Sequence, residues 1–186
     1  MWRTEYFIYL EIVFGYTSRL VRLILVMKYF FIKAVACICL VGCVLIANAQ
    51  STQAYINKYR PLADSLGPVY GIPPAVILAV ATIESSSGAG RNVKLLNNHF
   101  GIVGKNHLMK TKKIKTRYKH YPNATASFID FCNLLAKRKY YKKLKGNLNY
   151  ILWVDAISKS GYSELPSVWK QRVTAIIKKH KLASTR

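Results

Sequence analysis

Acidic side chains are scarce in this 186-residue chain: seven Asp and Glu stand against 29 Lys and Arg, for a net charge of +22. Such a field favours polyanionic partners: nucleic acid, an acidic membrane or an anionic cell wall. No carboxylate occurs between Glu84 and Asp130. Cysteine is almost as rare, and beyond residue 50 only Cys132 remains, which excludes an intrachain disulfide in that part. Its neighbours Phe128, Ile129, Phe131 and Leu135 mark a buried structural thiol rather than a nucleophile. His99, His107, His120 and His180 lack the spacing of a zinc site. There is no Walker loop, dinucleotide fingerprint or internal repeat. The expectation is a chain without cofactor or metal.

Long apolar runs are limited to the N-terminal part. Ala34 to Ile46 is unbroken, but shorter than the roughly 20 residues of a membrane-spanning helix. It follows the short basic start Met27-Lys28-Tyr29-Phe30-Phe31-Ile32-Lys33 and precedes Ala47-Asn48-Ala49, a small-x-small cleavage pattern. This is the layout of a secretory signal peptide over residues 27–49, with residues 1–26 an upstream extension from a mis-assigned start. The mature domain then covers residues 50–186, and the protein is secreted or periplasmic. Two other readings fit the segment. Leu40-Val41-Gly42-Cys43 resembles a lipobox that would acylate Cys43, although Val44-Leu45-Ile46 continues the apolar run beyond it. An uncleaved anchor is the third.

What the mature part has is core. Hydrophobic residues make up 52% of the chain. The run Pro74 to Ile83 is apolar nearly all round, which places a helix inside a core rather than on its surface. Glu84 closes that run, just before the helix-breaking Ser85-Ser86-Ser87-Gly88. Ile77, Val80, Ala81 and Glu84 share one stripe, so the carboxyl group faces the same way as core residues. A carboxylate there is costly unless paired or used. Desolvation keeps it protonated towards neutral pH, the state a general acid needs. Arg91 and Lys94, near in sequence, would oppose that shift.

Around this helix the pattern predicts others. Residues 51–54 can cap a first helix carrying Tyr55, Ile56, Tyr59, Leu62, Ala63 and Leu66, ended or kinked by Gly67-Pro68. Residues 85–104 read as a structured loop. Residues 105–121 alternate basic and apolar side chains and read as a β-hairpin or short extended lobe. Helices follow over about 124–136, 149–160 and 167–180. The predicted fold is mainly α, with a central buried helix and a small hairpin lobe, and Glu84 on the floor of the cleft between them.

Five segments carry a family resemblance: Tyr70-Gly71-Ile72-Pro73, Ile83-Glu84-Ser85-Ser86-Ser87-Gly88, Asn97-Asn98-His99-Phe100-Gly101-Ile102, Tyr118-Lys119-His120-Tyr121-Pro122 and Ser160-Gly161-Tyr162. In order and spacing, across residues 52–182, the chain resembles the bacterial glucosaminidase domain, glycoside hydrolase family 73. The resemblance implies a lysozyme-like α+β fold. It also implies cleavage of β-1,4 bonds at N-acetylglucosamine in peptidoglycan, with Glu84 as general acid and Tyr162 near the catalytic centre. Asn98, His99, Phe100, Tyr118 and Tyr121 match the segments that border the sugar. The implied partners are peptidoglycan strands and anionic wall polymers. Export argues against nucleic acid, and the membrane is met only through the signal segment or a lipid at Cys43.

One departure stands out. Many members carry a second acid in the small lobe, and residues 85–129 contain none. Three solutions are open. The substrate's 2-acetamido group attacks, with Tyr162 orienting it. Glu84 works alone, as in a lytic transglycosylase that leaves an anhydro sugar. Or Asp130, Asp155 or Glu164 reaches the site through the fold. A noncatalytic wall-binding module is the rival from another class. Structural roles also suit several of these residues: a helix-end network for Glu84, hydrogen bonding for His99, plain packing for Phe100, Tyr118 and Tyr121.

Overall fold

A computed structural model describes residues 27, 28, 31, 33, 52–112 and 114–183. The chain divides into two units, Met1–Ala49 and Gln50–Arg186. In the first, the four described residues are helical. The signal segment and its cleavage site fall almost entirely outside the described residues, as do Cys43 and residues 1–26. Among the described residues no helix is long and apolar enough to cross a membrane.

The second unit is mainly helical. It contains α1 (residues 52–70), α2 (Pro74–Glu84), α3 (Arg91–Leu96), α4 (Leu108–Lys112), α5 (Ala124–Ala136), α6 (Tyr141–Leu144), α7 (Tyr150–Lys159) and α8 (Pro166–Lys179). Helix α2 is the centre. Ala75 through Thr82 are all buried, and the helix packs against α8, α7 and α5. Pro74 at its first turn lacks only an N–H that would have no intrahelical partner. Aromatic rings fill the space beside it: Phe100 stacks on Phe131 at 4.1 Å, and Phe128 meets Phe100 edge-on. Cys132 is buried in this core, where burial pushes its thiol up to about 12, so it stays protonated.

Two expectations change. Gly67-Pro68 does not end α1, which runs on to residue 70. Proline removes its own N–H bond and crowds the carbonyl four residues back, but here it lies within the helix's last turn, with little helix left to break. Gly67 serves a close approach instead: a β-carbon on it would lie 2.6 Å from Pro74 Cγ and 2.9 Å from the Ile72 carbonyl.

The hairpin over 105–121 is the second correction. Among the described residues it reduces to one antiparallel bridge, Val103 with Tyr118, and α4 occupies its middle. Asparagine amides replace the ladder. Asn106 Nδ2 donates to the carbonyls of Thr116 and Tyr118, while its Oδ1 accepts from the Leu108 N–H at 3.0 Å. A side chain that accepts from the backbone two residues on starts a helical turn at the expense of a strand.

Candidate active site

Helix α2 delivers Glu84 and then stops at once. Ser86 and Ser87 adopt left-handed φ of 50° and 54°, followed by Gly88 at 83°. Buried Ser85 holds the turn: its Oγ accepts from the Gly88 N–H at 2.9 Å and its carbonyl from the Gly90 N–H at 2.9 Å. The Glu84 side chain therefore leaves the last turn of an otherwise buried helix, beside α8.

There Trp169 Nε1 donates to Glu84 Oε1 at 2.8 Å. On the other side, a β-carbon on Gly101 would lie 3.8 Å from Oε2. Gly101 is left-handed, with φ of 64°. Burial pushes the Glu84 carboxyl above the usual range, partly offset by the Trp169 N–H and the Arg172 charge. The negative end of the α2 dipole acts in the same direction as burial. The opposing cation is Arg172 from α8, not the Arg91 or Lys94 suggested by sequence proximity.

Glu84 lines a cavity of about 720 Å³, the size of a small-ligand site. Its walls include Phe100, Gly101, Tyr118, Tyr162 and Trp169. Tyr162 donates its hydroxyl hydrogen to the Phe100 carbonyl at 3.0 Å, and its ring lies 5.4 Å from that of Trp169. Burial first, then the Glu84 charge, pushes the phenol well above its usual value, so its proton stays in place. An oxygen that donates to Phe100 keeps lone pairs for a substrate N–H. Tyr118 carries Arg117 over its ring at 5.5 Å.

Of the residues singled out in sequence, Glu84, Phe100, Tyr118 and Tyr162 meet in this cavity. Asn98, His99 and Tyr121 do not line it. Asn98 is fully buried and ties the lobe together: Nδ2 donates to the carbonyls of Ile102 and Lys119, and Oδ1 accepts from the Ile102 N–H. His99 Nδ1 lies 2.7 Å from the Tyr55 hydroxyl, inside a ring of aromatics. Burial, then Lys58, lowers it to about 4, so it is neutral. Tyr121 donates to Asp130 at 2.6 Å. Asn98 thus bonds to Ile102, which lines the cavity, whereas His99 and Tyr121 bond to Tyr55 and Asp130, which do not.

The acids separate in the same way. Burial alone would raise Asp130, but hydrogen bonds from Lys119 and Tyr121 hold it low. Asp155 is held low by Lys159 and Lys170. Glu164 alone of the three lines the cavity with Glu84. Among the described residues, no group of three His, Cys, Asp or Glu could hold a metal ion. Trp169 and Arg172, both on α8, are not among the residues singled out in sequence. A buried indole N–H needs an acceptor, and that requirement was the available signal.

This helical fold is shared with two solved catalytic domains. The autolysin Auto catalytic domain of Listeria monocytogenes superposes with a TM-score of 0.61 at 22% identity, covering 72% of this chain and 86% of that one. The glycoside hydrolase domain of Salmonella typhimurium FlgJ gives 0.56 at 21%, covering 70% and 88%. The chain belongs to the glucosaminidase family, described as mannosyl-glycoprotein endo-beta-N-acetylglucosaminidase, whose profile matches residues 60–182. It is 26% identical over 147 residues to the exo-glucosaminidase LytG of Bacillus subtilis (strain 168), across 70% of this chain. It spans about half of that relative, 52% of its length.

Proposed function

We infer that this protein is an exported peptidoglycan hydrolase, built on the lysozyme-like plan. It cleaves β-1,4 bonds at N-acetylglucosamine, with Glu84 as general acid. The observation that carries this reading is the carboxyl group of Glu84, pushed up by burial and set in a cavity walled by Phe100, Tyr118 and Tyr162. A group that holds its proton towards neutral pH can deliver it to the glycosidic oxygen as the bond breaks. The family membership and the relative named as a glucosaminidase support the substrate class. The working chain begins at Gln50, after a signal segment over 27–49, and acts in the cell envelope or outside it.

Charge at the anomeric carbon is met on the opposite side. The substrate's 2-acetamido oxygen attacks, as in substrate-assisted glycosidases. Tyr162 orients that group by accepting its N–H, since the phenol hydrogen already goes to Phe100. Glu84, left ionised by the first step, then takes a proton from the water that opens the cyclic intermediate, so one residue serves as acid and base. In the alternative without acetamido attack the base towards water would be Glu164, which borders the same cavity while Asp130 and Asp155 are in ion pairs.

The test is a muropeptide digest by the segment from Gln50 onward and by its Glu84→Gln partner. Glu84→Gln should lower turnover by roughly 10²–10⁴-fold, the usual worth of a general acid. Pelleting with peptidoglycan should persist. Equal turnover in the two proteins removes Glu84 from the chemistry. Mass spectrometry reads the product: a reducing sugar end marks hydrolysis, a 1,6-anhydro end a transglycosylase. Binding with no product from either protein marks a wall-binding module.

A further inference from the structure

The catalytic cavity has more positive charge than acid chemistry on a neutral sugar requires. Arg117, Arg138 and Arg172 line it alongside Glu84 and Glu164. Among the described residues, the ion pairs are made by Lys119, Lys159 and Lys170, never by these arginines. Arg138 stands just past the end of α5, its backbone N–H bonded to the Leu135 carbonyl at 3.0 Å. Its side chain is exposed.

Arg138 also borders a second cavity, of about 580 Å³, together with Lys137, Lys139, Tyr140 and Lys159. The two cavities thus share a wall. Lys159 is committed to Asp155 at 2.7 Å, while Lys137 and Lys139 are exposed. The Tyr140 hydroxyl is buried, and Ser160, which interacts with it, borders the same cavity. Among the described residues no carboxylate lines this second cavity.

A planar guanidinium flanked by two ammonium groups suits a carboxylate or phosphate, which it can hold through paired N–H donors. An unsubstituted N-acetylglucosamine polymer offers no such group. A glycan strand carrying acidic peptides or phosphate polymers does. We propose that Arg138 is a specificity-determining residue that binds an anionic substituent of the strand, in a subsite continuous with the catalytic cavity. This rests on the reading of the larger cavity as a glycan cleft. Lys137 and Lys139 strengthen the field around the subsite, and the strand's sugar backbone remains at Glu84.

The experiment uses the segment from Gln50 onward on four substrates. These are peptide-bearing glycan strands, the same strands with carboxyl groups amidated, and walls before and after extraction of phosphate polymers. For a carboxylate ligand, kcat/KM should fall roughly tenfold on amidation, the scale of one charge-assisted hydrogen bond. For a phosphate ligand the fall should follow extraction instead. In Arg138→Gln that ratio should collapse towards one, and Arg138→Lys should restore part of it. A wild-type protein indifferent to both treatments overturns the proposal. So does an Arg138→Gln protein slowed by one common factor on every substrate. Measuring Kd for the same substrates in the Glu84→Gln background separates the two readings. A charge-dependent Kd lost with Arg138 upholds the subsite even if the wild type turns nothing over, an outcome that would instead end the catalytic reading.

Discussion

Glu84 works in a balance of opposing effects. Burial and the C-terminal end of α2 favour its neutral form, while the Trp169 N–H and Arg172 favour the charged one. Trp169→Phe keeps an aromatic ring, smaller than indole, and removes the donor. With less stabilisation of the anion, the carboxyl pKa rises, and the acid stays protonated to higher pH. The alkaline limb of the kcat/KM profile should therefore move upward, and Arg172→Gln should move it the same way. An unmoved limb in both variants would detach these residues from the tuning of Glu84. At this scale the sequence was legible for Glu84, because a single carboxyl at the end of an apolar run is a local anomaly. For Asn98, His99 and Tyr121 the sequence left two roles open, and in the structure each makes a hydrogen bond within the protein. Their residue types suit sugar contacts and internal hydrogen bonds equally, and only the surrounding fold supplies the partners.

Among the elements, α2, α5, α7 and α8 lie within a residue or so of where apolar periodicity predicted them, since each is long and buries one face or all of it. The short helices α3, α4 and α6 escaped notice because four to six residues carry too little period to read. The join between α1 and α2 depends on a missing side chain. Gly67→Ala should cost about 1–3 kcal/mol, the usual range for overpacking, because Pro74 and the Ile72 carbonyl occupy the new methyl's space. Denaturant unfolding measures it directly. A stability equal to wild type would mean the two helices need no such closeness. The lobe is weaker in backbone pairing and stronger in side-chain pairing than a hairpin. Asn98 and Asn106 cross-link its two arms, leaving Tyr118 at the cavity.

For the whole molecule, charge dominates. Few carboxylates offset the 29 Lys and Arg, and most of that charge lies beyond residue 50. Wall binding should weaken as salt is added, since exposed charges are screened over about 8 Å at physiological ionic strength. Pelleting with peptidoglycan between low and high salt measures it. Binding that ignores salt would leave the positive surface without a part in adhesion.

The sequence alone determined the central helix, the position of Glu84 at its end and the basic character of the molecule. Each of these is written in neighbouring residues, where period and composition are local properties. The tertiary structure decided the rest: that Trp169 and Arg172 from the last long helix meet Glu84, that Glu164 rather than Asp130 or Asp155 shares its cavity, and that Arg138 borders two cavities at once. Those meetings join residues far apart along the chain, and packing alone brings them within reach.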